Sequence, residues 1–150
     1  MMRTDWNPEA EDAAGGAWAR RRLKLVSVGR SRDGEFRCRA RVVLEDPGHG
    51  PFEGEAELPF SEQNYHRVAA QATLQALRRA GGETLPLRLV GLRLLRIFDT
   101  PLVAVQVGLP TEGGERLLLG IAVATDDPGT GAARAVLHAT NRIVGNVIDT

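Results

Sequence analysis

The sequence predicts an α+β domain in which one β-β-β-α unit occurs twice. Its mainly antiparallel sheets pack against two helices about a pseudo-twofold axis. Three observations predict this. Apolar and polar residues alternate with the period of a half-buried strand in blocks across 23–60 and 85–124. Each block is followed by a segment whose apolar residues recur at helical spacing. Three short sequences also return in order. Leu23-Lys-Leu-Val-Ser-Val is echoed by Leu87-Arg-Leu-Val-Gly-Leu, 64 residues on. Gly54-Glu-Ala-Glu-Leu is echoed by Gly120-Ile-Ala-Val-Ala, 66 on, and Ala69-Ala-Gln-Ala-Thr-Leu by Ala132-Ala-Arg-Ala-Val-Leu, 63 on.

Residues 21–150 read as a single domain with repeats at about 23–82 and 87–145, a length that buries a sizeable core. Residues 1–20 show no sustained periodicity and read as a flexible tail, with a short helical turn around Glu9–Ala13. Trp6 and Trp18 are its sizeable apolar groups. The chain is 43% apolar and 25% charged, and its nineteen basic and nineteen acidic residues cancel. No global field therefore draws in nucleic acid or an anionic membrane. Arg20-Arg21-Arg22 reads as a solvated edge. The one cysteine, Cys38, suits a reducing compartment, and no leader or membrane span is legible, so a cytoplasmic protein is expected.

Strand character begins at Leu23–Arg30 and turns at Ser31-Arg32-Asp33-Gly34. Phe36, Cys38, Ala40, Val42 and Leu44 then form an inward row, alternating with Arg37, Arg39 and Arg41. After a loop over 46–51, Phe52, Gly54, Ala56, Leu58 and Phe60 alternate with Glu53, Glu55 and Glu57. Antiparallel pairing sets the arginine row beside the glutamate row, which neutralises a stripe that alone would suggest nucleic acid. Ser61 caps a helix whose apolar face carries Tyr65, Val68, Ala69, Ala72 and Ala76. Arg78 and Arg79 suit its C-terminal dipole, and Gly81-Gly82 ends it.

The second unit predicts strands near Leu85–Ile97, Leu102–Leu109 and Arg116–Ala124, then a helix over 128–144 with Asp127 as cap and Gly145 as stop. Here both faces of the sheet are apolar, so both need cover. One takes the helices; for the other a second copy of the chain is the economical answer, with the N-terminal tail as the alternative. That self-contact is expected on Leu102, Ala104, Gln106, Leu118 and Ala122.

Leu87, Leu89, Arg96-Ile97, Val103–Val107, Gly120-Ile121-Ala122 and Ala132–Leu137 give the second half a family likeness. It resembles the C-terminal regulatory domain of the α-isopropylmalate and citramalate synthases, in architecture over 23–145 and in local sequence over 87–145. The family's Gly-x-Gly-Pro-Val-Asp-Ala signature is replaced here by Leu58-Pro59-Phe60-Ser61-Glu62-Gln63-Asn64, and the catalytic barrel has no counterpart. The resemblance implies a freestanding dimeric domain that takes a small carboxylate or amino-acid effector near its helix N-termini, without synthase activity.

No catalytic motif stands out. His49, His66, His138 and Cys38 lie at no metal-ligand spacing, Cys38 alternates with outward arginines and so points inward, and no phosphate loop occurs. No cofactor is expected. His138 and Arg142, on the polar side of the last helix, read as solvated. The remaining constellation is the pair of helix entrances: Phe60, Ser61 and Asn64 on one, Asp127, Gly129 and Thr130 on the other. Free amides there offer an anion site, with capping by their own side chains as the competing use. The sequence thus points to a homodimeric regulatory or ligand-binding module, or else a scaffold domain with no small ligand.

Overall fold

The computed structural model describes residues 23–81, 86–125 and 127–149, with side chains through residue 141. Strands β1 (Lys24–Asp33), β2 (Arg37–Asp46) and β3 (Gly50–Pro59) precede helix α1 (Glu62–Gly81); β4 (Arg88–Ile97), β5 (Thr100–Thr111) and β6 (Gly114–Val123) precede helix α2 (Pro128–Asp149). Each triplet is an antiparallel sheet in chain order, giving an α+β fold with a repeated β-β-β-α unit. The expectations for the N-terminal tail, its tryptophans, Arg20–Arg22, Gly82 and Arg142 fall outside what is described.

The duplication extends to fine detail. β1 bulges between Leu25 and Ser27, and β4 bulges between Leu89 and Gly91, the same place in the repeat. Gly54 of β3 lets α1 approach so closely that an added Cβ would overlap the Ala72 carbonyl oxygen; Gly120 of β6 does the same for Ala135 of α2. The helices pack on each other. α1 covers β2 and β3 and reaches β4, while α2 covers β5 and β6 and reaches β1, a reciprocal arrangement. Burial on several sides explains why Ala70 and Thr73 of α1 join Val68, Ala69, Ala72, Leu74, Ala76 and Leu77 in the core. The Thr73 hydroxyl is accommodated by donating to the Ala69 carbonyl at 2.7 Å.

In the first sheet, Cys38, Ala40, Val42 and Leu44 are buried under α1, as their alternation predicts. On the opposite face Arg39 stands across from Glu57 and Arg41 across from Glu55. Arg37–Glu57 (2.7 Å), Arg39–Glu57 (3.1 Å), Arg39–Asp33 (3.0 Å) and Arg41–Glu53 form ion pairs over it. Two details differ from expectation. Asp33 pairs with Arg37, so Ser31 and Arg32 belong to β1 and Phe36 lies in the turn, 79% exposed rather than in the inward row. Helix α2 runs through Gly145 to Asp149. A glycine stops a helix only where the chain takes up a left-handed turn; otherwise its cost is about 1 kcal/mol and the helix continues.

Candidate functional site

Both helix entrances form as expected, and their own side chains fill them. The Ser61 Oγ accepts from the Asn64 N–H at 3.0 Å, and Asn64 Nδ2 donates to the Pro59 carbonyl at 2.9 Å. Asp127 Oδ2 accepts from the Thr130 N–H at 3.1 Å and from its hydroxyl at 3.2 Å. The Asp127 carbonyl takes the Gly131 N–H at 3.0 Å. Phe60 is pinned by its N–H on the Phe36 carbonyl (2.7 Å) and by the Arg32 guanidinium, 3.7 Å from its ring centroid. Capping therefore takes up the Asn64 and Thr130 amides, which a ligand would otherwise use.

What joins the two entrances is Arg30, a residue that belongs to no sequence motif. It lies on the helix-facing side of β1, its side chain only 10% exposed. Nη1 donates to the Tyr65 carbonyl at 2.8 Å, Nη2 donates to Asp127 Oδ1 at 2.7 Å, and the guanidinium lies 4.2 Å from the Tyr65 ring centroid. Gly129 leaves the room: a Cβ there would stand 2.9 Å from Arg30 Cδ. One cation thus ties the first unit's helix start to the second unit's. The available signal was a lone arginine at an inward position of a strand, where the second repeat carries Leu94.

The electrostatics follow from this clamp. Burial alone would raise the Asp127 carboxyl, but the Arg30 cation and hydrogen bonds from Thr130 and Gly129 outweigh it and hold the group below the ordinary carboxylate value. His66 is pushed below its ordinary value, first by burial and then by Arg30, against the pull of Glu62 and Asp127. Its Nδ1 is buried and lacks a hydrogen-bond partner. With Arg30 committed to Asp127 and Tyr65, the chemistry here is that of a clamp.

The second candidate surface is the face of the second sheet turned away from the helices. Val103 pairs with Ala122, Val105 with Gly120 and Val107 with Leu118, and paired residues share a face. Val103, Val105 and Val107 are buried in the core, so Leu118 and Ala122 lie on the helix side with them. This corrects the expected contact set, which mixed the two faces. The open face carries Leu102, Ala104 and Gln106 of β5, paired with Val123, Ile121 and Leu119 of β6. Leu117, Leu119, Ile121 and Val123 are 52, 67, 42 and 50% exposed, a row of four large apolar side chains along one strand. At its margin Arg88 and Glu115 form a two-pronged ion pair, both contacts 2.7 Å.

The charged face of the first sheet holds a shallow, open trough of about 700 Å³ beside Gly29, Ser31, Arg39 and Arg41. Two of its arginines are already paired with acids, as described above. Cys38 is fully buried, and burial raises its thiol above the ordinary value. Among the described residues no three His, Cys, Asp or Glu side chains converge as metal ligands, and no helix is long and apolar enough to cross a membrane. No protein-family model matches the chain, and no curated protein matches it.

Proposed function

We propose that this protein is a non-catalytic, cytoplasmic regulatory module that works as a homodimer. The observation that carries this reading is the contrast between the two sheets. The first meets water with paired arginines and acids; the second presents Leu117, Leu119, Ile121 and Val123, each at least 42% exposed. A contiguous apolar row of that kind is characteristic of a contact surface. The helix entrances have a structural role in this reading, holding the two units in register through Arg30. Sedimentation equilibrium of the full chain at micromolar to hundred-micromolar concentration tests it. A dimer is expected; a monomer throughout the range contradicts it.

A further inference from the structure

Resting on that self-association, we infer that the second copy packs face-on over the second sheet, and that strand addition at a sheet edge is closed off by design. A three-stranded sheet offers a partner two outer edges and one free face, and bare edges invite pairing. All four edges here are blunted. On β3, Gln75 Oε1 accepts the Glu55 N–H at 2.6 Å, and Arg79 Nη1 donates to the Glu53 carbonyl at 3.0 Å. On β6, the equivalent helix position, His138, accepts the Ile121 N–H on Nδ1 at 3.0 Å. The other two outer strands, β1 and β4, carry the matched bulges at Val26 and Val90, which twist an edge out of register for pairing.

With its edges blunted, the second sheet offers its open face as the surface to be covered, and that face suits a copy of itself. Its strands of 10, 12 and 10 residues span about 14 by 33 Å at ordinary strand spacing and rise. That is about 470 Å² in flat projection, which side-chain relief raises toward the roughly 800 Å² that each partner of a stable dimer buries. The Arg88–Glu115 pair is satisfied within one chain, so it adds no unpaired charge when two such faces meet by twofold symmetry. Arg93 of the outer strand β4 lies on the same open face, across from Ala104, and its long side chain can carry the guanidinium past the β4 edge to water.

Ala104, on the central strand, distinguishes the two geometries. Sheets packed face to face stand about 10 Å apart, whereas pairing through β4 or β6 leaves three strand spacings, about 14 Å, between the two Ala104 positions. The test is Ala104→Cys in the full chain, treated with a short thiol cross-linker, alongside Leu119→Glu studied by sedimentation. Buried Cys38 stays in place, and the unsubstituted chain is the control. Face-on packing predicts a cross-linked dimer for Ala104→Cys. It also predicts a weakening of dimerisation by more than a hundredfold for Leu119→Glu, with an unchanged circular dichroism spectrum. A dimer that ignores Leu119→Glu and stays unlinked as the Ala104→Cys variant overturns the face-on inference while self-association survives. A wild-type monomer overturns both.

Discussion

Gly54 and Gly120 test whether the two units are built alike. Replacing Gly54 by Ala sets a methyl group into the Ala72 carbonyl and 3.0 Å from the Ala76 methyl. Carbon atoms pack comfortably at about 3.5–4.0 Å, so α1 must retreat by roughly an ångström. A gap of that size forfeits a quarter to a half of the dispersion energy of the atoms facing it, and overpacking typically costs about 1–3 kcal/mol. Because the clash is with helix backbone, the upper end is expected: about 3 kcal/mol, or roughly 6–12 °C in Tm for a chain of this size. Gly120→Ala meets the Ala135 carbonyl, the Ala139 N at 2.6 Å and the Ala139 methyl at 2.8 Å, so its loss should match. Gly29→Ala and Gly91→Ala meet nothing within 4 Å and should change stability by less than about 1 kcal/mol. Thermal and urea unfolding of the four variants reads this directly. Equal losses at 29 and 54, or a harmless Gly54→Ala, would refute the close helix–sheet approach.

Three further outcomes follow from the clamp and the turns. Arg30→Leu, which installs the second repeat's residue, should cost about 1–3 kcal/mol at neutral pH, discounted because Asp127 stays 42% exposed. Asp127 is held below its ordinary value of 3.8, so its contribution is present above that pH and lost as pH falls through the folded-state value. Acid-unfolding curves of Arg30→Leu should show a smaller loss in that region; an unchanged curve would count against the pair. His66 is held below its ordinary 6.5, so the unfolded chain binds the extra proton first and stability declines as pH drops below that value. His66→Leu should flatten the fall in stability as pH drops below 6.5, and an unchanged pH profile would count against the shift. Phe98 and Asp99 both adopt left-handed φ angles, 52° and 60°, with Phe98 97% exposed. Phe98→Asn with Asp99→Gly should raise stability by about 1–2 kcal/mol in urea titration, and no gain would mean that the turn is not strained.

The repeat, the strands and both caps were legible in the sequence because each is written within a few residues: alternation, helical spacing, a Ser or Asp three residues before its amide. Arg30 was not, since its partners lie 35 and 97 residues away and only the packing of α2 against β1 brings them together. The contact face was half legible. β5 and β6 are apolar on both sides, so alternation defines two rows on each strand without saying which rows share a face. The pairing of Val103 with Ala122 decides it, moving Leu118 and Ala122 to the core side and Leu119, Ile121 and Val123 to the open one. Phe36 looked like the first inward residue until the pairing of Asp33 with Arg37 placed it in the turn.

The central claim, that the open face of the second sheet joins two copies, is tested most directly by sedimentation equilibrium of the wild type beside Leu119→Glu. Leu119 is 67% exposed and lies outside the core, so its replacement leaves the fold intact while placing a carboxylate within the contact. A wild-type dimer and a folded Leu119→Glu monomer are the predicted pair. A wild-type monomer, or equal dimerisation by both proteins, would contradict the claim.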